Sequence, residues 1–108
     1  MTRAKVYYQG EIAGILEKNN DGFTFQYHES YLNGTGVPIS YSLPLRHEKF
    51  KNKNLFPFFA GLVAEGWLLE IQSKTQKIAE TDYFSLLIKN GKDLIGAVTV
   101  IEEQNHEL

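Results

Sequence analysis

The chain has no cysteine, one methionine, one tryptophan and three prolines among its 108 residues. Without cysteine there is no disulfide framework, no thiol nucleophile and no zinc site built on thiolates. That lack fits a cytoplasmic protein. An excess of positive charge is missing too. Eleven Lys and Arg face 13 Asp and Glu, for a net charge of −2. Polyanion binding draws on clustered cations, so direct nucleic-acid binding is disfavoured. The one basic cluster, RHEKFKNKN (residues 46–54), reads as a solvated loop. No apolar run is long enough to span a membrane, and the opening MTRAKVYYQG has no apolar centre of the kind a signal peptide needs. No membrane partner is expected.

What is present is enough for a core. Apolar residues make up 43% of the chain and aromatics 13%, so a single domain of this length needs no metal staple. The first third has strand character. AKVYY and EIAGILEK flank a Gln9-Gly10 turn, and NNDG (residues 19–22) makes a second turn. In FTFQY, Phe23, Phe25 and Tyr27 share one face, the period-two pattern of a sheet packed on one side. YLNGTGVP (residues 31–38) reads as a loop. ISYSL predicts a further strand with Ile39, Tyr41 and Leu43 on one face, ended by Pro44.

The middle predicts helix. Asn54 is a candidate cap and Pro57 a first-turn proline. Phe59, Val63, Trp67 and Ile71 recur every four residues, beside a stripe of Leu55, Phe58, Leu62 and Leu69. Gly66 marks a break or kink within that run. Farther on, Asp82 predicts the N-cap of a helix over residues 83–89, with Gly91 at its C′ position. LIGAVTVI then predicts a last, buried strand. The order of strands, helices and one strand gives an α+β fold with a mostly antiparallel sheet and helices on one face. Residues 1–101 form one domain and residues 102–108, EEQNHEL, a polar tail that reads as a natural terminus without tag or scar.

Reactive constellations are not found. GTG (residues 34–36) lacks the third glycine of a dinucleotide fingerprint, and Pro38 follows in place of a helix. His28, His47 and His106 are far apart, so no metal site is read from them. Asn33-Gly34-Thr35 fits a glycosylation acceptor by coincidence of a short pattern. Glu65 and Glu70, five apart on a helix, point in different directions. No catalytic residue, cofactor site or metal site is assigned, and a non-enzyme is expected.

SLPLR, FPFFAGLVAEG and DYFSLLIKNGKDLIGAVTV, taken in order, resemble the N-terminal subdomain of HipA-type serine/threonine kinases. KVYYQGEIAGILEK fits the start of that subdomain, and the resemblance runs from about Lys5 to Ile101. Two departures matter. The kinase body that follows in that family is not in this chain, and with it go the phosphate-binding loop and the metal-binding and catalytic Asp residues. Where the family often has Leu-Leu-Pro-Glu, this chain has Leu62-Val63-Ala64-Glu65, then Gly66 and the bulky Trp67.

As a free-standing copy, the chain is similar to the HipS-like antitoxins of HipBST toxin–antitoxin systems. That resemblance implies a cytoplasmic bacterial antitoxin that binds and inhibits a HipT-like serine/threonine kinase toxin. It also implies a ternary complex with a HipB-like helix-turn-helix protein. The kinase-binding residues expected are Trp67 with Glu65, Gly66 and Leu68. Trp67 has two readings from spacing alone: core stripe, or an anchor that enters a pocket of the kinase and keeps its lobes from closing. Two further roles stay open. One is a non-inhibitory scaffold that completes the kinase fold and couples it to a HipB-like DNA-binding protein, and the other is an excised piece of a larger kinase.

Overall fold

The computed structural model describes residues 2–34, 36–63, 66–94 and 97–103, with the side chains of Gly66, Trp67 and Asp93 left aside. Among the described residues five strands form one antiparallel sheet: β1 (Thr2–Tyr8), β2 (Glu11–Asn19), β3 (Gly22–Tyr27), β4 (Phe50–Asn52) and β5 (Val98–Glu102). Their spatial order is β4-β3-β2-β1-β5. The described residues also form four helices: α1 (Glu29–Leu32), α2 (Pro57–Ala60), α3 (Gly66–Gln76) and α4 (Tyr83–Lys89). A 3₁₀ turn follows at Gly91–Asp93.

The register follows from burial. Ala4 faces Leu16, Leu16 faces Phe25, and Phe25 faces Phe50. All four are buried, on the side where the helices pack. A one-residue slip would send this set to solvent. The β1–β2 turn uses Gln9 at φ 50° and Gly10 at φ 84°. Two positive φ values in succession give the turn a twist that matches the flanking strands. Phe25 is the hub of the aromatic core, with ring centroids 5.0 Å from Tyr27 and 5.6 Å from Phe59.

Three sequence expectations are corrected here. ISYSL is not a strand. Only a Ser40–Leu43 bridge forms, Ile39 and Leu43 are buried, and Tyr41 at the turn between them is fully exposed. Side-chain anchoring replaces ladder pairing in this segment. Tyr27 Oη accepts from Ile39 N–H (3.0 Å) and donates to the Leu43 carbonyl, while Tyr31 Oη donates to the Val37 carbonyl (2.6 Å). Burial raises the pKa of the Tyr27 phenol, because desolvation disfavours the phenolate.

The basic cluster is not simply a solvated loop, since it contains β4. Phe50 inserts into the core and pulls the segment into the sheet. Asn54 does not cap α2. The N-cap is Phe56, with no side-chain hydrogen bond, and Pro57 holds the first turn as expected.

The Asp82 cap is present: its Oδ1 accepts from Ser85 N–H at 3.2 Å. Gly91 follows the C-cap Asn90, but its φ is not positive. Its role is close approach. A Cβ built there would lie 1.6 Å from the Val100 carbonyl oxygen, so only glycine lets the turn seat against β5.

Candidate functional site

The candidate site is built on α3, and the sequence explains why one flank of this helix is left off the core. Helix α2 lasts one turn, and Gly61 caps it. Phe59 and Val63 are buried, so the chain is committed to the core up to that point. Helix α3 then starts afresh at Gly66. The four-residue stripe read from sequence is therefore not one continuous helical face. Ile71, its last member, is 48% exposed. The neighbouring stripe packs as expected: Leu55, Phe58, Leu62 and Leu69 all lie partly buried against the core.

Of the four expected partner-binding residues, the side chain of Leu68 is described. It is 44% exposed. Glu65 lies outside the described residues, as do the side chains of Gly66 and Trp67. The backbone of Trp67 is the second residue of α3. Leu68 and Ile71, three residues apart, fall on neighbouring positions of the helix surface. Together they make an apolar flank that is about half-exposed. Spacing alone places Ile71 in the core stripe. The broken helix is what turns it outward, and the glycine pair Gly61 and Gly66 is the signal for that break.

The far end of α3 is firmly tied. Gln76 Nε2 donates to Asn90 Oδ1 (2.8 Å), and Asn90 Nδ2 donates back to Gln76 Oε1 (3.1 Å). Asn90 Nδ2 also donates to the Leu86 carbonyl at the end of α4 (2.8 Å). Ile78 N–H donates to the Ser73 carbonyl (3.0 Å), and Lys77 between them has φ 57°. That bond, with Ile78 packed on the core, is a Schellman closure using lysine in place of the usual glycine. A left-handed non-glycine residue is strained by about 1 kcal/mol. Lys77→Gly is therefore expected to raise stability by roughly 0.5–1 kcal/mol in urea unfolding; a loss would show that the lysine side chain has a compensating contact.

Reactive chemistry has little to work with here. Glu70 pairs with Lys74 at 3.0 Å, an exposed i,i+4 bridge, which contributes little to stability. His28 caps α1 through Nδ1, which accepts from Ser30 N–H at 3.3 Å. His47 lies elsewhere, and His106 is outside the described residues. Among the described residues no three His, Asp or Glu side chains gather as a metal site. None of the described helices is long and apolar enough to cross a membrane.

Comparison with known proteins fits this architecture. The family model described as HipA N-terminal domain matches residues 4–101. A solved structure of the N-terminal domain of HipA toxin superposes with a TM-score of 0.78 at 37% identity, covering 98% of this chain and 96% of that one. An uncharacterized protein of Haemophilus influenzae is 41% identical over 100 residues, which take in 93% of this chain and 92% of that one. A protein of Sinorhizobium fredii named as a candidate kinase, Y4mE, is 30% identical over 105 residues. Those residues are 95% of this chain and a quarter, 25%, of that longer one. With the matched span, the five-stranded sheet and the helices in agreement, this chain belongs to the HipA N-terminal domain family.

Proposed function

We propose that the chain is an antitoxin, one that binds a HipT-like serine/threonine kinase toxin and inhibits it through the N-terminal half of α3. The supporting observation is the half-exposed apolar flank of Leu68 and Ile71 on a helix whose second residue is the chain's single tryptophan. Exposed apolar groups gathered on one helix face mark contact surfaces, and tryptophan is among the residues most enriched at their energetic centres. In a longer relative such as Y4mE the matching domain is part of one chain. A surface that serves such a domain inside one chain would, between separate proteins, serve as a docking surface.

Docking beside the nucleotide-binding lobe would inhibit by geometry. Phosphoryl transfer needs the phosphate-covering loop and the lobes to close on the substrate. A helix end wedged against that lobe holds it open, and no chemistry of the antitoxin is required. A ternary complex with a HipB-like helix-turn-helix protein belongs to the same reading.

A second reading has the relation to Y4mE in its favour, where the domain and the rest of that chain are covalently joined. On that reading the small protein completes the kinase fold and is needed for activity. The two differ in sign. Autophosphorylation of a purified cognate kinase, followed while this protein is titrated in, is expected to fall to background near one equivalent. A rise in activity would replace inhibition with fold completion.

A further inference from the structure

We infer that the edge strand β4 is a docking edge for an extended acidic peptide segment of a protein partner. β4 is the last strand of the sheet, so its outer edge has no neighbour among the described residues. Phe50 points into the core, and Lys51 stands across from Thr24 on the face away from the helices. Lys49 and Lys53 flank the strand at two-residue intervals, and all three lysines are exposed. None of them is in either ion pair found among the described residues, Arg3–Glu17 and Glu70–Lys74. On the β3 side of the strand, toward the β2–β3 turn, Lys51 and Lys53 also line a cleft of about 500 Å³ with Asn19, Asp21 and Asn52.

The segment is also held ready. The Arg46 guanidinium lies 3.8 Å from the centre of the Phe50 ring and donates to the carbonyls of Glu48 (3.3 Å) and Lys49 (3.0 Å). Gln26 Nε2 donates to the His47 carbonyl at 3.0 Å. Arginine thus serves the fold, and the lysines are left for solvent or a ligand. An edge already ordered loses little conformational freedom on binding.

The occupant follows from spacing and charge. Alternate residues on a strand are about 6.6–6.8 Å apart. A peptide that adds to β4 as a sixth strand carries its own alternate side chains at the same interval. A carboxylate opposite the strand then meets Lys51, and the alternate ones on either side are directed toward Lys49 and Lys53, which flank the three-residue strand. One edge lysine is enough to discourage pairing with a second copy; three exposed lysines within five residues offer a complementary surface. Nucleic acid is the poorer match. Tight backbone binding takes on the order of 6–10 phosphate contacts, whereas this strip has three lysines. Glu48 and Asp21 border it, and the chain as a whole is at −2.

The test uses the full chain, ¹⁵N-labelled, in low salt. The probe is the peptide Thr-Glu-Val-Glu-Val-Glu-Thr, with the glutamine version and heptathymidine as comparisons. Amide shifts are expected at residues 49–53 with a submillimolar Kd for the glutamate peptide, at least tenfold weaker for the glutamine peptide. Lys51→Glu, at an exposed position, is expected to abolish the response while leaving the melting curve unchanged. Trp67→Ala is expected to leave it intact, which separates this edge from the α3 surface. Equal binding of the two peptides, no binding up to 1 mM, shifts centred elsewhere, or tighter binding of heptathymidine would each overturn the assignment.

Discussion

Gly91→Ala is expected to cost at least about 3 kcal/mol of stability, enough to lower the melting temperature by on the order of 15 °C. The reason is backbone against backbone. A methyl group at position 91 would sit 1.6 Å from the Val100 carbonyl oxygen and 2.6 Å from its carbon. Flexible side chains can swing away from such a clash; a central residue of β5 cannot. Val100 is fully buried and pairs with Val6, itself fully buried, so β5 is fixed from the β1 side. The alternative is for the 3₁₀ turn to lift off, which drags the end of α4 and its buried Leu86 and Leu87 with it. A domain of this size has only about 5–15 kcal/mol in total. Thermal unfolding followed by circular dichroism reads the loss. A change below 1 kcal/mol would mean that the turn and β5 can separate without cost.

That position also shows how far a sequence carries a fold. Gly91 was legible as a helix-end glycine, and it does follow the last turn of α4. The demand on it comes from a strand seven or more residues later, and no local pattern reports such an approach. The meander was legible because period two and the Gln9-Gly10 and Asn19–Gly22 turns agree with one another. ISYSL misled because alternation is only one way to bury Ile39 and Leu43. Two tyrosine hydroxyls, from residues 27 and 31, hold that segment instead of a ladder. RHEKFKNKN misled in the other direction: its charges are solvated, but one inward Phe50 makes it a strand. Strand propensity depends on what the buried face meets, and that partner, Phe25, lies far off in sequence.

The candidate site was legible in part. The surplus of apolar residues between Phe56 and Glu70 was visible, and so was the break signalled by Gly66. Which residues the break turns outward was not. With one continuous helix, Ile71 would continue the stripe of the buried Phe59 and Val63. With α2 ending at Gly61 and α3 beginning at Gly66, the helical phase is reset, and Leu68 and Ile71 come out half-exposed. Helical spacing predicts a face only within one helix.

Trp67→Ala is expected to weaken kinase binding by roughly 30- to 1000-fold, about 2–4 kcal/mol, and to restore phosphorylation in its presence. The argument starts from the backbone. Position 67 is in the first turn of α3 and one turn before Ile71, next to the exposed Leu68. The opposite end of the helix is clamped by the Gln76–Asn90 amide pair and the Lys77 closure. A helix fixed at one end presents the other at little entropic cost on binding. Leu68→Ala removes a smaller side chain from the same flank and is expected to cost about 1 kcal/mol of affinity. Two measurements separate an anchor from a core residue. An anchor lost to alanine leaves urea stability within about 1 kcal/mol of the parent, whereas a buried tryptophan lost to alanine costs about 3–5 kcal/mol. The emission of the single tryptophan gives the second: red in the free protein and blue-shifted on adding kinase for an anchor, blue throughout for a core residue. If stability falls and the emission is blue from the start, the docking role passes from Trp67 to Leu68 and Ile71 alone.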